Sequence, residues 1–215
     1  MSAGDATPTP KEAVALQRVL APRIVRTRRC AEPRTVAGAD TSIRAGRVHA
    51  VVCVFSFPAL EWLETGSSVR PVEFPYVPGL LTFRELPALR EAYGKLAREP
   101  DVILMDGQGL AHPRRIGIAS HLGLALDRPT VGCAKTLLVG EHRPPGPRRG
   151  SRTRLVHRGE VVGACLRTQN GVKPVYVSIG HRVDLPFALR IVLRCARRYR
   201  LPEPIRAADQ AAGRL

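Results

Sequence analysis

Residues 101–135 read DVILMDGQGLAHPRRIGIASHLGLALDRPTVGCAK, and this stretch decides the fold. Asp101 to Asp106 is a short, mostly apolar run of strand type, Gly117 to Leu126 has helical character, and Thr130 to Lys135 is a second buried strand run. A strand, a helix and a strand joined by short links are the pattern of two parallel strands with a right-handed crossover. Upstream, Thr35 to Asp40, Val48 to Phe57 and Leu60 to Thr65 read as three strands whose links are too short for crossovers, hence an antiparallel meander. The expected class is therefore α/β, with a mixed sheet in which the meander is followed by parallel strands and helices flank both.

The remaining elements fit around this sheet. Lys11 to Leu20 carries Ala13, Leu16 and Leu20 on a helix-like stripe, and an arginine-rich connector follows with Arg23, Arg26, Arg28, Arg29 and Arg34. Arg70 to Leu81 holds Pro71, Pro75, Pro78 and Gly79, which favour a stiff loop. Arg84 to Arg98 is expected to be a helix burying Leu86, Leu89, Tyr93 and Leu96, with Pro87 tolerated in its first turn. Glu141 to Arg154, five arginines among prolines and glycines, is expected to be an exposed, mobile loop. Glu160 to Arg167 and Pro174 to Ile179 read as strands, and Pro186 opens a helix to about Arg200 with Ala188, Ile191, Val192, Cys195 and Tyr199 on one face. Residues 1–10 are small and polar and read as a flexible leader before a single domain, 11–215.

Composition narrows the function. The 215 residues carry 34 Lys plus Arg against 18 Asp plus Glu, a formal charge of +16, and the only lysines are Lys11, Lys95, Lys135 and Lys173. Such an excess favours a polyanionic partner, although a coding bias toward arginine also raises it. No apolar run approaches the roughly 18 residues of a membrane span, and no secretory signal is visible, so a cytoplasmic protein without membrane partners is expected. The five cysteines are odd in number and scattered, without CxxC spacing, and read as reduced core residues.

Two acids end apolar strand runs, Asp40 and Asp106. A carboxylate there is costly without a partner, and strand ends of α/β sheets are where ligand sites lie. If the strands are neighbours the carboxylates converge, and a cation between them relieves their repulsion. Mg²⁺ suits such a pair together with phosphate oxygens. Either Asp alone also fits an ordinary turn. Glu85 stands at the edge of the buried stripe of its helix, as a metal ligand or general base, or simply as a favourable charge at the helix start. In Asp106-Gly107-Gln108-Gly109, the glycines let backbone approach a ligand, and His112 and Arg114 follow within reach of a phosphate. Lys135 ends a strand run as the two Asp do. His121 and His181 read as hydrogen-bonded structural histidines. Tyr76, braced by Pro75 and Pro78, is either a rigid outward ring able to wedge into a base stack or an aromatic packed under its own loop.

Together, Gly38-Ala39-Asp40, Pro75-Tyr76-Val77-Pro78-Gly79 with Phe83-Arg84-Glu85, Asp106-Gly107 through Ser120-His121, Gly132-Cys133-Ala134-Lys135 and Gly180-His181-Arg182 resemble the endonuclease V family. The resemblance implies an RNase H-like fold and a monomer acting on DNA that contains deaminated bases. It implies Mg²⁺-dependent hydrolysis, with Mn²⁺ as a substitute, of the second phosphodiester 3′ to a deoxyinosine, leaving 3′-OH and 5′-phosphate without base removal. Asp40 and Asp106 match the metal ligands, Glu85 the third acid, and His112 and Lys135 positions near the scissile phosphate. Asp209 stands where relatives carry His or Asp and is a candidate additional metal-site residue. Pro75, Tyr76, Val77 and Pro78 match the wedge. Backbone of Gly79, Leu80, Leu81 and Gly107 matches the base pocket, and Arg84, Arg114 and Arg182 stand as candidate phosphate contacts. Gln108 and Thr136 depart from the His and Lys common at their positions. The alternatives are an RNase H-like nuclease acting on inosine-containing RNA or branched DNA, and a catalytically silent nucleic-acid-binding module.

Overall fold

The computed structural model describes residues 7–28 and 31–215. Residues 1–6 of the expected leader, with Arg29 of the connector and Cys30, lie outside the described residues. Thr9 and Glu12 form a capping box that starts helix α1, Pro10–Leu20, satisfying amides that lack partners at a helix start.

Eight strands, β1 (Thr35–Arg44), β2 (Arg47–Ser56), β3 (Trp62–Pro71), β4 (Val102–Met105), β5 (Thr130–Ala134), β6 (Arg152–His157), β7 (Glu160–Leu166) and β8 (Val175–His181), make one sheet. Their order is β3-β2-β1-β4-β5-β8-β7-β6. The β1–β4 and β4–β5 pairs are parallel, the others antiparallel. The meander and the parallel unit are thus as expected, and β8-β7-β6 adds a second antiparallel arm.

Alternation along the strands builds two cores. Val36, Val51, Leu104, Cys133 and Val177 face helices α4 (Leu185–Cys195) and α5 (Glu203–Ala212), meeting Ile191, Val192, Ile205 and Ala208. Ala37, Ala39, Val52, Ile103 and Met105 face helices α2 (Leu81–Gly94) and α3 (Ile118–Leu126), meeting Leu89, Ala92, Ile118 and Leu122. Each fully buried Val or Leu contributes roughly 1.5–3 kcal/mol. Gly38 lets α5 sit directly on β1, since a Cβ there would lie 2.0 Å from the Pro204 carbonyl.

Several boundaries differ from the sequence expectation for physical reasons. β1 runs past Asp40 to Arg44 and β3 to Pro71, because pairing with β2 continues through polar residues that carry no apolar alternation. α2 begins at Leu81 and ends at Gly94, which puts Pro87 inside the helix rather than in its first turn. Its buried face is Thr82, Glu85, Ala88, Leu89 and Ala92, while Leu86, Tyr93 and Leu96 are half-buried. On α1 the buried pair is Ala13 and Gln17, and Leu16 is exposed.

The expected loop Glu141 to Arg154 is pinned at several points. Glu141 exchanges backbone bonds with Val156 at 2.8 and 2.9 Å, and Arg167 holds the Pro145 and Gly146 carbonyls at 3.1 Å. Its last three residues already belong to β6, an edge strand whose outward arginines mask the alternation around buried Leu155. α4 stops at Cys195, its end closed by Arg149 donating to the Leu193 and Ala196 carbonyls, so Tyr199 lies beyond it. α5 had no expected counterpart. Cys53, Cys133, Cys165 and Cys195 are free and buried, as expected. Among the described residues, no helix is long and apolar enough to cross a membrane.

Candidate active site

The parallel register of β1 and β4 pairs Gly38 with Leu104 and Ala39 with Met105, and the Asp106 amide donates to the Ala39 carbonyl at 3.1 Å. Continued by one residue, this register sets Asp40 beside Asp106, both on the α5 side by the strand alternation. Lys135 follows β5 on that side, and its Nζ lies 2.6 Å from Asp106 Oδ2 and 3.9 Å from Asp209 Oδ1. Asp209 arrives from α5 close enough to Asp40 to raise its pKa. Glu85 reaches the cluster from α2, with Thr41 of β1 beside it.

Buried Asp40 and Glu85 and the largely buried Asp106 therefore meet the more exposed Lys135 and Asp209. Burial, then repulsion from Asp106, drives the Asp40 carboxyl well above the ordinary carboxylate range. Burial raises Asp106 too, opposed by Lys135. Burial pushes Glu85, only 7% exposed, up to about 7. Buried carboxylates that outnumber the single ammonium beside them are what a divalent cation relieves. Among the described residues, no group of three or more His, Cys, Asp or Glu is placed to hold a metal ion by itself. Mg²⁺ takes one or two carboxylates and fills its other positions with water and substrate oxygens. The all-oxygen donor set of Asp40 and Asp106, with Asp209 adjacent, fits such an ion.

Beside the acids, the segment from Gly107 to Gly117 is held as a fixed loop. Gly109 N donates to Ser178 Oγ at 2.8 Å, Gly117 N to the Gly109 carbonyl at 2.9 Å, and Gln108 Nε2 to the Thr136 carbonyl at 2.9 Å. His112 is buried with both ring nitrogens engaged. Nδ1 accepts from the Arg114 amide at 3.2 Å, so Nε2 carries the proton and donates to the Gly79 carbonyl at 3.0 Å. Burial, aided by the nearby Arg114 charge, pulls its pKa down to about 4 and keeps it neutral. In this arrangement His112 joins the loop to Gly79 and has no free nitrogen for proton transfer.

The proline-braced segment leads into Gly79, which the loop after Asp106 holds through His112 and Arg114. Tyr76 is 71% exposed, between Pro75 and Val77-Pro78, so the outward reading of this ring holds and the packed one does not. Beneath it Phe74 and Leu80 pack on Ala13 of α1, with Val77 and Phe83 at the edges. Gly79 has φ +77°, a left-handed conformation suited to glycine, and a Cβ there would also approach Arg114 Nη2 to 2.8 Å. Leu80 points into this small core, whereas Leu81 is exposed at the start of α2.

The expected phosphate contacts separate. Arg84 neighbours Glu85 and its buried Nε has no hydrogen-bond partner. Arg114 turns inward, Nη2 donating to the Gly79 carbonyl at 2.7 Å and Nε to Gln17. Arg182 follows β8 at the end paired with Thr130, opposite the end where Lys135 stands, and binds Asp127 at 2.5 Å. The structure does not bring it to the acids. His181 is a structural histidine as expected, Nδ1 accepting from the Val25 amide at 3.2 Å. Three neighbours were not foreseen. Thr41 faces Glu85, Arg200 Nη2 holds the Lys135 carbonyl at 2.6 Å, and Gln17 reaches Gly79 from α1. Gln17 interrupts an apparently apolar stripe and gave no signal; Arg200 was one of many arginines.

Comparison with known proteins bears on this geometry. The family model described as endonuclease V matches residues 18–210. An endonuclease V of Roseiflexus sp. is 54% identical over 201 residues, covering 94% of this chain and 90% of that protein. The crystal structure of the endonuclease V of Streptomyces avermitilis superposes with a TM-score of 0.94 at 41% identity, covering 98% of this chain and 95% of that one. A Ciona intestinalis endonuclease V, crystallised with a 24mer DNA containing an inosine followed by a ribo-adenosine, superposes with a TM-score of 0.83 at 26% identity, covering 95% and 96% of the two chains.

Proposed function

The chain belongs to the endonuclease V family, with its RNase H-like mixed sheet, and from that membership we propose that it is a Mg²⁺-dependent DNA-repair endonuclease. Its substrate is DNA containing a deaminated purine, foremost deoxyinosine. It hydrolyses the second phosphodiester on the 3′ side, leaving 3′-OH and 5′-phosphate with the base in place. The observation that carries this reading is the convergence of Asp40, Asp106, Glu85 and Lys135, with an exposed Tyr76 on the proline-braced segment that leads into α2. The inosine-containing DNA bound by the Ciona relative supports the substrate class.

The arginine-rich surface gathers DNA by phosphate contacts and counterion release. Tyr76 fills the gap left when the base is flipped out, and backbone at Gly79 to Leu81 and Gly107 reads the base edge. A hydrogen-bonding pocket discriminates strongly because a wrong base leaves buried groups unpaired. Asp40 and Asp106 would hold the metal, with Asp209 beside them, and a divalent ion there would lower the pKa of water and stabilise charge on the phosphate. Water adds to phosphorus, the bond to the 3′ oxygen breaks, and that oxygen leaves as the 3′-hydroxyl after taking a proton from solvent. Glu85, with a pKa near neutrality, is suited to take the proton of the attacking water. Lys135 places a positive charge next to Asp106, where the phosphate arrives.

The test is a panel of matched oligonucleotides with and without inosine, in DNA and RNA, each with Mg²⁺ and with chelator. Nicking of inosine DNA only in the presence of the metal is expected. Cleavage indifferent to inosine, or binding without cleavage, overturns the reading, and a preference for the RNA strand would make inosine-containing RNA the substrate.

A further inference from the structure

α1 is oriented against ordinary hydrophobic preference. It exposes Leu16 (41%) and Val19 (67%) and fully buries Gln17. Burying either apolar side chain would gain roughly 1.5–3 kcal/mol, and burying an amide costs free energy unless it is hydrogen-bonded. Gln17 is thoroughly bonded. Nε2 donates to the Gly79 carbonyl at 3.1 Å and to the Ile116 carbonyl at 3.4 Å, and Oε1 accepts from Arg114 Nε. The Gly79 carbonyl receives two further donors, Arg114 Nη2 at 2.7 Å and His112 Nε2 at 3.0 Å. One side chain of α1 thus ties the end of the wedge segment to the loop that follows Asp106.

We propose that Gln17 is a positioning residue for base recognition, holding the Gly79 to Leu81 backbone against the Ile116 loop so that the pocket accepts hypoxanthine and refuses adenine. The proposal deepens the function proposed above and rests on it. A peptide unit is planar, so fixing the Gly79 carbonyl fixes the plane it shares with Leu80. That carbonyl is occupied by three donors and the Leu80 amide donates to the Val77 carbonyl at 2.9 Å, so what the segment offers a base is the Leu81 amide N–H. Leu81 is the first residue of α2, and its amide has no carbonyl partner within the helix. An N–H group pairs with the O6 acceptor of hypoxanthine and opposes the amino group that adenine carries at the same place. Loosening Gly79 weakens this distinction without touching the acids around Asp106.

The test compares wild type with Gln17→Leu, which keeps the volume and removes every hydrogen bond, and with Gln17→Glu, which keeps an acceptor for Arg114 and removes both donors. Single-turnover cleavage is measured on duplexes carrying inosine or adenine at one position, with amide hydrogen exchange read at residues 79–83 and 110–117. Gln17→Leu should raise KM for the inosine duplex and lower the inosine-to-adenine ratio by about tenfold, the scale of one or two lost hydrogen bonds. The rate at saturation should be retained and exchange should accelerate in those two segments. An unchanged ratio overturns the proposal. So does an equal slowing of both substrates with a general loss of protection, which marks a merely structural role. If Gln17→Leu fails to fold, the same readouts on Gln17→Glu decide. A wild-type protein without preference for inosine overturns the functional reading itself, and the control shows this before any variant is compared.

Discussion

Replacing Glu85 with glutamine should stabilise the metal-free protein at pH 8 by ~3 kcal/mol and leave it almost unchanged near pH 4. Burial, followed by the charge of Asp106, raises this carboxyl from 4.5 to about 7, a rise that corresponds to ~3 kcal/mol at 1.36 kcal/mol per pH unit. An acid whose folded pKa exceeds its unfolded value takes up a proton on folding. It costs nothing below pH 4.5, costs more as pH rises toward 7, and costs the full amount above 7. Glutamine does not titrate and retains an oxygen for Thr41. The advantage of Glu85→Gln therefore grows from about zero at pH 4 to ~3 kcal/mol at pH 8, or ~6–12 °C in thermal midpoint for a chain of this size. Urea denaturation of both proteins in chelator between pH 4 and 8 reads this directly. Parallel stability curves, or an advantage greatest at acid pH, would refute the claim that Glu85 is held as a buried, destabilised carboxylate.

Asp40→Asn and Asp106→Asn should each cut nicking of inosine DNA by more than about a hundredfold, the scale of losing one preorganised electrostatic contact, with duplex affinity in chelator changed less than about threefold; gel-shift and cleavage assays on one substrate check both. Tyr76→Ala should weaken binding of an inosine duplex by ~1–3 kcal/mol, the range of one base–aromatic stack, while the thermal midpoint stays put because the ring is exposed. Mg²⁺ at about a hundred times its dissociation constant should stabilise wild type by ~2.7 kcal/mol at pH 8, and a calorimetric scan of Asp40→Asn should show most of that gain lost.

The sheet was legible because its strands obey simple periodicities. The strand–helix–strand unit at Asp101 to Lys135 and the meander before it leave few topologies. What escaped reading was structure decided by distant partners. Edge strand β6 carries arginines where an alternating pattern would need polar and apolar residues in turn. α5 is short, and its place on β1 depends on the missing side chain of Gly38. At the site, Asp40, Asp106 and Lys135 announced themselves by ending apolar runs, and register brings them together. Gln17 and Thr41 did not, since a polar residue on a helix or strand reads as solvated until its partner is known. Arg182 lay in a motif of the family but at the far end of the sheet, where it binds Asp127.

The most direct test of the central claim maps the cut. A labelled duplex with one deoxyinosine, digested in Mg²⁺ and resolved at single-nucleotide length, should give a single nick at the second phosphodiester 3′ to the inosine with a 3′-hydroxyl, and none with chelator or with Asp106→Asn. A cut at other positions, a released base, or undiminished nicking by Asp106→Asn would contradict it.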